Sequence, residues 1–142
     1  ATKIYERPIG LIYRDTVLMD KFYIPSQIAI LEDHYRVVLN TIPPMNYSDI
    51  HIQKLKSKTI FLPNTGNLTL SYSTPIYGDL YAYKDNKMTK CFTLNSTKNI
   101  ETLSLLPGKY KLVYRTQRSI TIHGSFEKEF EIYSFSQVNI AL

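Results

Sequence analysis

The chain carries an internal copy of itself. Thr2-Lys3-Ile4-Tyr5-Glu6-Arg7-Pro8-Ile9 aligns with Thr69-Leu70-Ser71-Tyr72-Ser73-Thr74-Pro75-Ile76, the two sharing Thr, Tyr, Pro and Ile. Gly10 then matches Gly78, Tyr13-Arg14-Asp15 matches Tyr83-Lys84-Asp85, and Lys21-Phe22 matches Cys91-Phe92. Ile28, Ile30 and Leu31 fall on Leu103, Leu105 and Leu106, with Glu32-Asp33 in the place of Pro107-Gly108. His34 to Thr41 overlays Lys109 to Thr116, and Asp49-Ile50-His51-Ile52 overlays Glu129-Phe130-Glu131-Ile132. Leu55, Ile60 and Leu62 close the series on Phe135, Ile140 and Leu142. The matches are collinear, and their gaps fall where turn residues cluster. A tandem duplication predicts two units, residues 1–62 and 63–142.

Each unit reads as strands. In Tyr35-Arg36-Val37-Val38-Leu39-Asn40-Thr41, Tyr35, Val37 and Leu39 share one face while Arg36 and Asn40 share the other. Tyr110 to Arg115 repeats that alternation, with further strands expected at Leu68–Tyr72, Asp79–Lys84, Met88–Leu94, Phe130–Tyr133 and Val138–Leu142. Asn64-Thr65-Gly66, Asp85-Asn86, Asn95-Ser96 and Pro107-Gly108 supply turns between them. The 12 Tyr and 6 Phe suit pleated surfaces, and no segment holds a helical apolar stripe. A copied length of roughly 70 to 80 residues exceeds the 20 to 50 of solenoids and propeller blades. It predicts an all-β chain of two tandem small antiparallel β-sandwich units, the first beginning abruptly within a strand and so N-terminally truncated. Units this small bury only about 60% of their unfolded-chain surface.

Leu105-Leu106-Pro107-Gly108-Lys109-Tyr110-Lys111-Leu112 resembles the L-x-PG-x-Y-x-L hairpin of transthyretin-like and carboxypeptidase-regulatory-like sandwich modules. With Gly78-Asp79-Leu80-Tyr81 upstream and Glu127-Lys128-Glu129-Phe130 downstream, it is similar to C-terminal repeats of bacterial surface proteins that carry a von Willebrand factor type A domain. The second copy carries nearly all of the likeness, since the first lacks Pro-Gly. The resemblance implies an immunoglobulin- or transthyretin-like fold, with Pro107 and Gly108 forming the turn and the rings of Tyr110 and its counterpart Tyr35 on the core. It also implies a non-catalytic spacer, adhesion or interaction role.

The chemistry-bearing residues agree with that role. His34, His51 and His123 are far apart in sequence and lack metal-ligand spacing, so no metal site is expected, and His34 and His51 should face outward. No nucleophile elbow, P-loop or dinucleotide fingerprint occurs. Asp15 and Asp85 read as hairpin-turn acids. The lone Cys91 permits no intrachain disulfide and should pack as a small hydrophobe. The net charge of +5 is not concentrated; Lys54-Leu55-Lys56-Ser57-Lys58 reads as an edge that discourages aggregation, and no nucleic-acid partner is expected. No apolar run approaches the roughly 18 residues that cross a bilayer. Sequons stand at Asn46-Tyr47-Ser48, Asn67-Leu68-Thr69 and Asn95-Ser96-Thr97.

The expectation is a chain that is not an enzyme and uses no cofactor. It would be a structural or protein-interaction module of an exported protein (secreted, periplasmic or on the cell surface), with a protein partner or an adjacent domain of a larger chain. The alternative is a carbohydrate-binding sandwich, in which Tyr72, Tyr77, Tyr81 and Tyr83 would form a stacking face for a glycan.

Overall fold

A computed structural model describes residues 8–95, 97–116 and 125–142. The chain divides into two compact units, Ala1–Phe61 and Leu62–Leu142. Among the described residues it is all-β, without helix.

The first unit holds β1 (Ile9–Arg14), β2 (Val17–Tyr23), β3 (Asp33–Leu39) and β4 (Met45–Ile52), bonded in the order β2-β1-β3-β4. The second holds β5 (Gly66–Ser71), β6 (Ile76–Lys84), β7 (Lys87–Thr93), β8 (Ile100–Leu105), β9 (Gly108–Thr116), β10 (Ser125–Ile132) and β11 (Gln137–Ala141). Its strands form two sheets, β10-β9-β6-β7 and β11-β5-β8. Alternation dictates which face each sheet buries. Leu68, Leu70 and Leu105 from one sheet, and Leu80, Tyr110, Leu112 and Ile132 from the other, are at most 1% exposed. Each such aliphatic side chain contributes roughly 1.5 to 3 kcal/mol. Ile12, Tyr35, Val37, Leu39 and Ile50 line the buried face of the first unit's sheet.

The two four-stranded sheets have one topology, and their central β1–β3 and β6–β9 ladders share one register. Reading β1 as β6, β2 as β7, β3 as β9 and β4 as β10 converts the first strand order into the second. Gly10 pairs with Leu39 and Gly78 with Tyr114; Ile12 pairs with Val37 and Leu80 with Leu112. Tyr35 faces Ile50 as Tyr110 faces Phe130, and His34 faces His51 as Lys109 faces Glu131. Both first hairpins carry a register shift at matching places, between Ile12 and Tyr13 and between Leu80 and Tyr81. Their turns place Asp15 at φ 56 and Asp85 at φ 52. After the last strand of each sheet comes the same tight turn, with Leu55 at φ 59 and Phe135 at φ 61. It is closed by Lys56 N–H donating to Gln53 O at 3.2 Å and Ser136 N–H to Tyr133 O at 3.1 Å.

Some expectations need correction. The hairpin β6–β7 runs further beyond its register shift than β1–β2 does, so Phe22 does not correspond to Phe92, nor Tyr13 to Tyr83: Tyr13 pairs with Arg36 as Tyr81 pairs with Lys111. Phe22 pairs with Gly10, whereas Gly78 O accepts from Leu94 N–H at 2.9 Å and Phe92 pairs with Leu80. A Cβ on Gly10 would lie 2.2 Å from the Phe22 ring, and one on Gly78 would lie 3.1 Å from Leu94 Cδ1. Leu94 thus takes the Phe22 place, which residue type alone conceals.

Pro107-Gly108 does not close a hairpin. β8 bonds to β5 while β9 bonds to β6 and β10, so the dipeptide turns the corner from one sheet to the other. Gly108, at φ 152, adopts a backbone conformation that other residues rarely take. The pairing is not wholly antiparallel either, because β11 lies parallel to β5.

Among its described residues the first unit shows one sheet where a sandwich was expected. Residues 28–31 and 60–62, which align with β8 and β11, form no strand, although Ile28, Ile30, Ile60 and Leu62 remain half-buried at period two. The Thr2–Arg7 portion of the first matched block and His123 lie outside the described residues, as does Ser96 of the third sequon.

Candidate functional site

The expected tyrosine face lies on β6, where odd-numbered residues point away from the core. Ile76, Leu80 and Ala82 are buried on the opposite face. Tyr77 is 40% exposed and Tyr83 38%, and Tyr81 is half-buried. Tyr72 does not join them. It follows β5, is 4% exposed, and donates its hydroxyl to Asn95 O at 2.9 Å. Burial, then the nearby Glu101 carboxylate, raises its pKa. Tyr72 is a core residue because it continues the inward alternation of Leu68 and Leu70 on β5, which belongs to the other sheet.

The three remaining rings sit in a charged surface rather than an aromatic one. Tyr77 pairs with Arg115 and Tyr81 with Lys111 across the β6–β9 ladder. Asp79, between them, accepts from Thr93 Oγ1 at 2.8 Å. Lys111 reaches Glu127 at 2.9 Å and Glu129 at 3.8 Å, and Tyr83 donates its hydroxyl to Glu129 Oε1 at 3.2 Å. The Lys111 pKa is raised, first by its hydrogen bond to Glu127. Glu127 and Glu129 thereby bind Lys111 and Tyr83 across the outer face of the β6-β9-β10 sheet.

Tyr35 and Tyr110 are 4% and 1% exposed. Tyr35 donates its hydroxyl to Leu31 O at 2.6 Å, and Tyr110 donates to Leu106 O at 2.5 Å, each reaching back four residues. A tyrosine tying its strand to the preceding corner in this way recurs in sandwich folds.

One cluster escaped the sequence reading. His34 and His51, separated in sequence, are direct cross-strand partners with rings stacked at 4.1 Å and 10°. Asp49 Oδ1 lies 3.3 Å from His34 Nδ1. The register shift between Tyr35 and Val37, with Asp49 at φ 58, accompanies this arrangement. In the second unit, Lys109 and Glu131 occupy the histidine positions. Pairing β3 with β4 as the second unit pairs Lys109 with Glu131 was the signal that could have found it. Both side chains are exposed, consistent with the outward orientation expected. Among the described residues no group of three or more His, Cys, Asp or Glu side chains is arranged to hold a metal ion.

Cys91 is half-buried, its Sγ 3.5 Å from Leu80 O. Burial pushes its thiol up to about 11. Among the described residues no helix is long and apolar enough to cross a membrane. Comparison with family models, curated proteins and solved structures found no match to this chain.

Proposed function

We propose that the chain is a tandem pair of related β units serving as a non-catalytic structural or protein-interaction module of an exported or surface protein. The carrying observation is what the two units share. Sheet order, the register of the central ladder, the positive φ at Asp15 and Asp85 and at Leu55 and Phe135, and the hydroxyl anchors of Tyr35 and Tyr110 all recur. Outward-facing positions do not: His34 and His51 stand where Lys109 and Glu131 stand. A retained framework beneath divergent surfaces is the pattern of a module kept for its architecture.

In the second unit β5 bonds to β8 and β11, not to β6. That differs from the immunoglobulin constant-type partition, in which the first and second strands share a sheet. It favours the transthyretin-like side of the resemblance.

The carbohydrate-binding reading rests on the exposure of Tyr77 and Tyr83. A glycan array probed with the full chain separates the two readings. The structural reading predicts no retained glycan; binding that disappears in Tyr81→Ala would overturn it.

A further inference from the structure

We infer that the second unit is a force-bearing element whose strength against tension along the chain lies in the β5–β11 ladder. The inference deepens the structural reading and rests on it.

β5 is the first strand of its unit and β11 the last, and they lie side by side and parallel, Asn67 opposite Gln137 through Ser71 opposite Ala141. Tension entering before Gly66 pulls β5 toward its N-terminal end. Tension leaving after Ala141 pulls β11 toward its C-terminal end. For parallel neighbours those pulls run oppositely along one ladder, so its bonds are sheared together instead of parting one at a time. Had β11 lain antiparallel to β5, the two pulled ends would sit at the same end of the ladder and it would unzip.

The ladder is built for such a load. It is extended at one end by Phe135 N–H donating to Thr65 O at 2.9 Å and Asn67 N–H to Ser136 O at 2.8 Å, and at the other by Leu142 N–H donating to Ser71 O at 2.8 Å. Side chains add cross-links: Gln137 Nε2 donates to Thr69 Oγ1 at 3.2 Å, and Lys128 Nζ, from the other sheet, to Ala141 O at 3.2 Å.

β5 cannot slide out easily, because β8 bonds its other edge and Leu68 and Leu70 are fully buried. At the entrance, a Cβ on Gly66 would lie 2.4 Å from Tyr133 O and 2.6 Å from Ile132 Cγ2. Glycine there lets the β10–β11 corner close directly onto the start of β5. The same corner carries Phe135, 82% exposed and at φ 61, a left-handed backbone.

Single-molecule pulling of the full chain tests this in two geometries, in a Cys91→Ala background. With handles at the two chain ends, the second unit should unfold in one event that releases roughly 25 nm, the extended length of about 75 residues. With one handle on Ser73→Cys, just after β5, and the other after Leu142, both strands are pulled at the same end and the ladder unzips. The end-to-end geometry should need at least twice the force. Ile140→Pro, which removes a ladder donor, should lower the end-to-end force and leave the Ser73 geometry nearly unchanged. Equal forces in the two geometries, from a chain with a native thermal transition, would overturn the clamp and leave the structural reading standing. Glycan binding lost in Tyr81→Ala would overturn the reading whatever the forces.

Discussion

Tyr35 and Tyr110 make the same bond in separate halves of the chain: each stands near the start of a central strand with its ring buried and donates a hydroxyl hydrogen bond to the carbonyl four residues upstream. Removing one hydroxyl leaves a carbonyl without its partner. Tyr35→Phe and Tyr110→Phe should each cost about 1 kcal/mol, and Tyr110→Ala about 3 to 5 kcal/mol through the cavity as well. Urea denaturation checks this. A cost from Tyr110→Phe with none from Tyr35→Phe would separate the two halves.

The glycines beneath Phe22 and Leu94 make a second matched pair. Alanine at Gly10 meets the Phe22 ring, and alanine at Gly78 meets Val113 O at 2.7 Å. Overpacking of this order costs roughly 1 to 3 kcal/mol. Gly10→Ala has the softer obstacle, a ring that can tilt, so Gly78→Ala should lower the urea midpoint more. The reverse order would place Leu94, not the β9 backbone, as the tighter neighbour.

Leu55 and Phe135 should be improvable. Leu55 is 98% exposed, and both hold a left-handed backbone that glycine adopts freely. Leu55→Gly and Phe135→Gly should each stabilise by about 0.5 to 1 kcal/mol, after glycine's greater loss of chain entropy. Thermal denaturation should show Tm rising in both; a fall in either would mean that its side chain packs in solution.

Alkaline pH should weaken the second unit. Burial raises the Cys91 thiol from 9.0 to about 11 and raises the Tyr110 phenol above its ordinary value. Between about pH 9 and 11 the folded chain therefore keeps protons that the unfolded chain has released. This contribution is whole below pH 9 and declines as pH climbs toward 11. Urea midpoints measured across that window should fall, and Cys91→Ala should make the fall shallower. A variant with the same slope as the parent would remove Cys91 from the cause.

Much of the framework was legible because strand alternation and turn chemistry are local. Tyr35 and Tyr110 could be matched by residue type, and Leu55 with Phe135 by its place in the collinear series. What was hidden depends on partners distant in sequence. Whether Pro107-Gly108 closes a hairpin or turns between sheets is decided by what β8 and β9 bond to, which the dipeptide does not encode. Tyr72 looked like part of an exposed cluster until β5 proved to lie in the other sheet. His34 and His51 became neighbours only through the β3–β4 register, and the longer β6–β7 hairpin moved the Phe22 counterpart to Leu94.

The pairing of backbones in solution decides whether one strand set underlies both halves. NMR cross-strand contacts and amide hydrogen bonding should place Tyr35 opposite Ile50 and Tyr110 opposite Phe130, with His34 facing His51 and Lys109 facing Glu131. A one-residue slip in either ladder, which would turn Tyr35 or Tyr110 out of the core, would contradict it.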